Sequence, residues 1–267
     1  MNEKQYRNAE GITQSQLKYI LESPKSFQIN LLADKKPTNS MMIGTAIHTM
    51  LFEPRNWQQS IAIWEGDRRA GKAWQEFQAE NGYKIILKSN EYQKVLDCVD
   101  EVKQFPFFQK LKEEKLYIEQ PIFWNDTMSP APHLKLKSKP DIVTHTKVID
   151  LKTTSSIAEF ERSIWKYKLH FQAAAYLRAV NSFYGKTGSL QGREYYLLAV
   201  ETSDANLVRC YKLPPIAIDH GSMLWDRALA LYAECEQKNK WQGYEEEEPK
   251  EVSVPSWMIN ELDAHLI

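Results

Sequence analysis

From Lys139 to Lys152 the chain reads Lys-Pro-Asp-Ile-Val-Thr-His-Thr-Lys-Val-Ile-Asp-Leu-Lys, which sets Pro140-Asp141 on one short apolar run and Asp150-Leu151-Lys152 on the next. Both runs are rich in β-branched residues and read as adjacent strands joined by a tight polar turn. With His145-Thr146 as the turn, Asp141 falls opposite Asp150. Opposite residues of an antiparallel pair lie about 4.5–5.5 Å apart, and like charges at that separation repel. A divalent cation between them relieves the repulsion, and alternation places Lys152 on the same face as Asp150. Hydrolysis of a phosphodiester needs a nucleophilic water, neutralised phosphoryl oxygens and help for the leaving alkoxide. One or two Mg²⁺ ions, with Mn²⁺ as a substitute, supply all three. Asp141 and Asp150 are the candidate ligands, the Leu151 carbonyl adds a backbone oxygen, and Lys152 orients or deprotonates the water. An isolated Asp-x-Lys also fits an exposed charged strand; Pro-Asp at hairpin distance is what selects the chemical reading.

These residues need elements to hold them. Thr13-Gln14-Ser15-Gln16 has capping-box form and opens a short helix that Ser23-Pro24 stops. Met41 to Phe52 reads as an apolar helix containing Gly44 and His48. Gly66 to Lys72 is a basic loop, followed by helices at Ala73 to Asn81 and Glu91 to Phe105. Tyr117 to Trp124 reads as one strand. Leu134 to Ser138 alternates and leads into Asp141, so that Lys135, Lys137 and Lys139 share its face of the sheet. A helix around Ile157 to Trp165, a longer one from about Tyr167 to Tyr184, strands at Tyr195 to Val200 and Val208 to Leu213, and a helix over His220 to Lys238 complete the pattern. Pro255, Trp257 and Leu262 are expected to pack the end of the chain back onto the domain. This order implies an α/β fold with a mixed central β-sheet flanked by helices.

The 267 residues allow one large domain or two small ones, and one is expected. Hydrophobic residues make up 43% and charged residues 26%, the ordinary globular range. No apolar run approaches the ~20 residues of a membrane span, and Met1 to Glu10 lacks the apolar stretch of a signal peptide. A cytoplasmic protein without membrane contact follows. Cys98, Cys210 and Cys235 have no paired spacing, which argues against structural zinc, a disulfide framework or a four-cysteine iron-sulfur cluster. The net charge of −1 conceals a gradient: residues 131–170 carry eight Lys/Arg against four Asp/Glu, and residues 233–267 carry three against nine, including Glu245 to Glu248. A basic half suits a polyanionic substrate; solvated surface is the alternative.

The motif Pro140-Asp141 with Asp150-Leu151-Lys152 resembles the PD-(D/E)xK nuclease signature, whose restriction-endonuclease-like core is α/β. Lys139-Pro140-Asp141, Ile149 to Thr154 and His170-Phe171-Gln172-Ala173-Ala174-Ala175-Tyr176 are similar to the RecE (exodeoxyribonuclease VIII) branch of phage and prophage exonucleases, within the RecB-like nucleases. Gly11 to Leu17 with Ser23-Pro24, Gly44-Thr45-Ala46-Ile47-His48 and Pro255-Ser256-Trp257 extend the likeness over most of the chain. It implies a single domain over 1–267, with N-terminal helices (about 1–110) contributing His48 and core motifs at about 115–215.

The resemblance also implies roles that spacing does not supply. His48, which on its own reads as a histidine packed in an apolar helix, matches a metal ligand. Glu119 matches an acidic residue near the metal. Gln172 and Tyr176, four apart on one helical face, match a motif that organises the site and touches DNA, although Tyr176 alone reads as core. Arg68, Arg69 and Lys72 resemble a phosphate-binding loop, for which a solvated loop is the alternative, and Lys137 and Lys139 are further candidates for DNA contacts. Asp150 replaces the Glu of many relatives, and the nuclease portion alone, without the larger N-terminal region of some, is expected.

The activity implied is 5′ to 3′ resection of double-stranded DNA ends in a bacterial host cell, leaving 3′ single strands for an annealing recombination protein. A homo-oligomeric ring, a tetramer, is expected. The rivals are a restriction-like or structure-specific endonuclease and a non-catalytic DNA-binding recombination accessory protein.

Overall fold

The computed structural model describes residues 3–33, 37–54, 57–185, 192–244, 249–255 and 258. The acidic run Glu245 to Glu248, Trp257 and Leu262 lie outside them. The N-terminal half is mostly helical: α1 (Glu3–Asn8), α2 (Gln14–Leu17) continued by a 3₁₀ turn (Lys18–Leu21), α3 (Pro24–Leu32), α4 (Asn39–Phe52) and α5 (Trp57–Ser60). The expected capping box on Thr13 and Gln16 is present. Ser23-Pro24 does end the first helix, and it also starts the next, with Ser23 Oγ accepting from the Ser26 amide and Pro24 in the first turn. Strand β1 (Ile61–Trp64), helix α6 (Lys72–Asn81) and strand β2 (Ile85–Lys88) follow, then α7 (Ser89–Gln104) and α8 (Pro106–Leu111). The parallel pair β1–β2 was not expected, because four-residue apolar runs carry little periodicity.

The rest of the chain holds β3 (Tyr117–Ile118), β4 (Ile122–Trp124), β5 (Leu136–Ser138), β6 (Ile142–Val143), β7 (Lys147–Thr154), α9 (Phe160–Lys166), α10 (Leu169–Tyr184), β8 (Glu194–Glu201), β9 (Val208–Lys212) and α11 (Pro215–Lys238). Five strands make the central sheet in the order β3-β6-β7-β8-β9. Only β7 and β8 run parallel, joined through α9 and α10; the other neighbours are antiparallel, so the sheet is mixed. Helices cover both faces. Val148, Tyr195, Leu197 and Ala199 pack with Phe171, Trp225 and Leu229 from α10 and α11, while Ile149, Leu151, Leu198 and Val200 pack with Ile47, Val95 and Val99 from α4 and α7. Alternation therefore sends Asp150 and Lys152 to the α10 side.

Two expected strands differ. Tyr117 to Trp124 is not one strand: β3 joins the central sheet, β4 pairs with β5, and the break falls at Glu119-Gln120-Pro121. Pro121 lacks the amide that a continuous ladder needs. Likewise β5 belongs to this separate two-stranded sheet, and its three residues are all buried, so the lysine alternation does not continue onto the face that bears Asp141. Close approach also fixes α10: a Cβ added to Gly221 of α11 would lie 2.1 Å from the His170 carbonyl oxygen. The three cysteines are free thiols, and among the described residues no helix is long and apolar enough to cross a membrane.

Candidate metal centre

Strands β6 and β7 pair with Ile142 opposite Ile149 and Val143 opposite Val148. The same register, carried back one residue, sets Asp141 opposite Asp150. Because β6 is only two residues long, the next amide on β7 has no strand partner, and the Asp141 side chain supplies one: Leu151 N–H donates to Oδ2 at 2.6 Å. That bond holds the carboxylate with Oδ1 aimed at His48, whose Nε2 lies 2.9 Å away.

His48 comes from α4, and its ring meets Phe52 edge-on at 4.8 Å. Glu119 provides the third group, with Oε1 2.9 Å from His48 Nε2. Its backbone is left-handed, φ 53°, a conformation that costs a non-glycine residue about 1–3 kcal/mol and persists where surrounding structure holds it. Here the Glu119 amide donates to the Asp141 carbonyl at 3.0 Å, and Lys139 pairs with Oε2. One ligand atom from each of His48, Glu119 and Asp141 lies within 4.8 Å of the others. An imidazole nitrogen with two carboxylate oxygens suits a divalent cation. Glu119 Oε1 is buried and faces the His48 nitrogen without a well-aligned hydrogen bond, the condition expected of an oxygen that serves an ion. The residues present therefore fit a cation held by His48, Glu119 and Asp141, which would neutralise phosphoryl charge and activate water for attack.

Asp150 stands beside this group and is engaged differently. Its Oδ1 accepts from Gln172 Nε2 at 2.8 Å and its Oδ2 pairs with Lys152 Nζ. Gln172 sits in the first turn of α10, and Tyr176 lies one turn on, lining the same cleft. Burial pushes the Tyr176 hydroxyl well above its ordinary pKa, with Asp150 and Asp141 adding to the shift, so it stays a neutral phenol. Leu151 contributes its N–H to the site, donated to Asp141 Oδ2.

The charge states follow from these contacts. Burial opposes charging of His48, but Asp141 and Glu119 outweigh it and raise the imidazole to about 10. Burial acts to raise Asp141 as well, yet His48 and Lys152 hold it below the ordinary carboxylate value. Asp150 goes the other way, to about 6, through burial and the nearby Asp141 charge, with Lys152 opposing. Without a cation, then, His48 is protonated and stands between two carboxylates.

Packing of α4 sets this geometry. Gly44, one turn before His48, faces Thr153 of β7: an added Cβ would lie 2.9 Å from Oγ1. Gly44→Ala is expected to displace α4 and weaken cation binding about tenfold, the low end for residues that orient metal ligands. Mn²⁺ titration calorimetry measures it; unchanged affinity would mean that α4 position is not limiting.

The basic candidates divide. Arg69 does not face solvent as a phosphate ligand: its guanidinium binds Glu91 (3.1 and 2.5 Å), Asn39 Oδ1 (2.7 Å) and the Ile86 carbonyl (3.1 Å), tying the loop to α7. Lys137 lines the cleft and is buried, with Nζ on the carbonyls of Tyr6, Arg7 and Ala9 at the end of α1, so its ammonium also holds that helix. Lys139 lines the cleft while holding Glu119. Arg68 and Lys72 are exposed, the latter 3.7 Å from Glu76, and neither lines the cleft. The cleft, about 1400 Å³, is lined by His48, Glu119, Asp141, Lys152 and Tyr176, and also by Arg7, Tyr83 and Lys84, which sequence reasoning missed. Single exposed charges have no local pattern that marks them.

The whole of this arrangement falls within a match to the model of a PDDEXK-like domain of unknown function, DUF3799, over residues 13–248. Among curated proteins none matches the chain in sequence. Of solved structures, one from Eubacterium rectale, named as a candidate exonuclease, superposes with a TM-score of 0.64 at 10% identity, covering 97% of each chain. That likeness supports the fold. A second, the SSO0001 structure, reaches a TM-score of 0.29 at 11% identity over 79% of this chain and 81% of that one, and carries no argument. With the family match spanning most of its length, and the Asp141, Asp150 and Lys152 constellation in place, the chain belongs to the PDDEXK-like family DUF3799.

Proposed function

We propose that this chain is a Mg²⁺-dependent double-stranded DNA exonuclease of RecE-like type, with Mn²⁺ as a substitute ion. The observation that carries the reading is the convergence of His48, Glu119 and Asp141 in a cleft beside the Asp150–Lys152 pair. His48, Glu119 and Asp141 would hold the cation. Asp150 and Lys152, fixed by Gln172, then position the attacking water and manage its proton at the phosphorus. Arg7, Lys84 and Lys139 at the cleft walls supply positive charge for the strand entering it. The resemblance of the motifs to the RecE branch supports resection from 5′ to 3′, action on duplex ends, a ring-shaped homo-oligomer such as a tetramer, and a single-strand annealing partner. The name of the Eubacterium rectale protein is consistent with exonuclease action.

The test is digestion of linear duplexes labelled at the 5′ or the 3′ end, beside a covalently closed circle, with and without Mg²⁺. Early release of the 5′ label, with the circle intact, is the expected result. Cleavage of the circle would favour an endonuclease, and binding without nucleotide release would favour an accessory protein.

A further inference from the structure

At the opposite end of the β6–β7 hairpin from the carboxylates lies a second cavity, about 190 Å³, lined by Lys115, Tyr117, Thr144, His145, Tyr184 and Arg193. Three or four residues of strand separate it from Asp141, roughly 10–13 Å at the usual rise. No carboxylate lines it. Arg193 is only 8% exposed, and the acceptors that its guanidinium meets are all neutral: the Thr144 carbonyl at 3.3 Å, Asn181 Oδ1 at 2.9 Å and the Gly185 carbonyl at 2.9 Å. The Tyr184 ring lies beneath it at 5.9 Å. The adjacent acids are committed elsewhere, Glu194 to Lys212 and Tyr196, and Glu114 to Lys147.

A buried cation without a counter-ion is unfavourable, and proteins ordinarily pair it. Here no carboxylate among the described residues pairs with Arg193, while a second cation, Lys115, stands exposed over Tyr117 at 5.1 Å on the cavity wall, with His145 beside it. A planar guanidinium, an ammonium and an imidazole around one small opening match the oxygens of a phosphate group.

We propose that this cavity is a phosphate-binding site, distinct from the metal centre, in which Arg193 and Lys115 hold the anion. A phosphate in a nucleic-acid backbone and one on a free nucleotide present the same chemistry, and both fit the opening.

The experiment titrates inorganic phosphate, deoxyadenosine monophosphate and a short duplex into the full chain by calorimetry. EDTA is present throughout, so that no cation bridges phosphate to the carboxylates. Because Arg193 also ties three backbone and side-chain oxygens, its replacement risks the fold; Lys115→Gln, at an exposed position, is the deciding variant. Inorganic phosphate is expected to bind the parent chain and to bind Lys115→Gln about tenfold more weakly, the effect of losing one charged hydrogen bond. Parallel weakening for the duplex assigns the site to backbone phosphate. Weakening for the mononucleotide alone assigns it to a free nucleotide. The proposal fails if inorganic phosphate does not bind the parent chain, or if Lys115→Gln binds it equally well. Neither failure touches the nuclease reading, which depends on the other end of the hairpin.

Discussion

Replacing Asp141 by Ala should abolish both cation binding and hydrolysis, the latter by about a thousandfold or more, since metal-ion catalysis contributes several kcal/mol and each 1.36 kcal/mol is tenfold in rate. The size of the effect follows from geometry. Asp141 bridges two systems: its Oδ1 faces His48 Nε2 at 2.9 Å, and its Oδ2 takes the Leu151 amide at 2.6 Å. Ala removes an ion ligand and leaves that buried amide unpaired, so Asp141→Asn, which can retain an acceptor for it, is the companion variant that keeps the fold interpretable. Proton linkage offers a separate readout. With His48 raised to about 10 in the cation-free protein, ligation near neutral pH must displace its proton. Calorimetry in buffers of different ionisation enthalpy should find about one proton released per cation, and affinity rising with pH. The stability sign is also fixed. A folded-state value above the ordinary 6.5 means that the His48 bridge stabilises the cation-free fold fully below about pH 6.5, and that this contribution is lost as pH rises toward 10.

Lys152→Met should leave cation binding in place and reduce hydrolysis about 10²–10⁴-fold, the usual range for loss of a group that assists proton transfer. Lys152 Nζ pairs with Asp150 Oδ2 and lies outside the His48–Glu119–Asp141 group. Its loss also removes the main influence holding down the Asp150 carboxyl, which already sits at about 6 through burial. The residual activity of Lys152→Met should therefore move to higher pH, as Asp150 ionises later. Mn²⁺ titration and a pH–rate profile of the variant check both parts. An unshifted profile would separate Lys152 from Asp150, and loss of Mn²⁺ binding would make Lys152 a structural prop for the centre.

The two variants draw on information that the sequence presents very unevenly. The Asp141–Asp150 pairing was legible because it is local: a period of two, a turn of fixed length and β-branched runs determine which residues meet across a hairpin, and the register agrees. His48 was legible only through the resemblance of the Gly44 to His48 segment, since nothing in an apolar helix distinguishes a ligand from a packed imidazole. The apolar pattern puts Glu119 in a continuous strand, whereas it occupies a left-handed turn at the point where β3 ends. Pro121 signalled that break, and the apolar residues on either side masked it.

The structural ties of the basic residues are hidden in the sequence for one reason. Alternation and loop composition make Lys137 and Arg69 candidates for DNA contacts, while the partners that hold them lie far along the chain: the carbonyls of α1 are about 130 residues from Lys137, and Glu91 is 22 from Arg69. Alternation and loop composition carry no information at such separations. Arg193 and Lys115 carry no local signal for the same reason, being brought to one cavity by the pairing of β3 with β6 and of β7 with β8.

The central claim is that the His48, Glu119, Asp141, Asp150 and Lys152 constellation is a cation-dependent nuclease centre. Release of acid-soluble nucleotide from linear duplex DNA, by the parent chain and by Asp141→Ala prepared in parallel, in Mg²⁺ and in EDTA, tests it most directly. The account predicts release by the parent chain in Mg²⁺ alone, none in EDTA and none by the variant. Equal release in EDTA, or by Asp141→Ala in Mg²⁺, would contradict it.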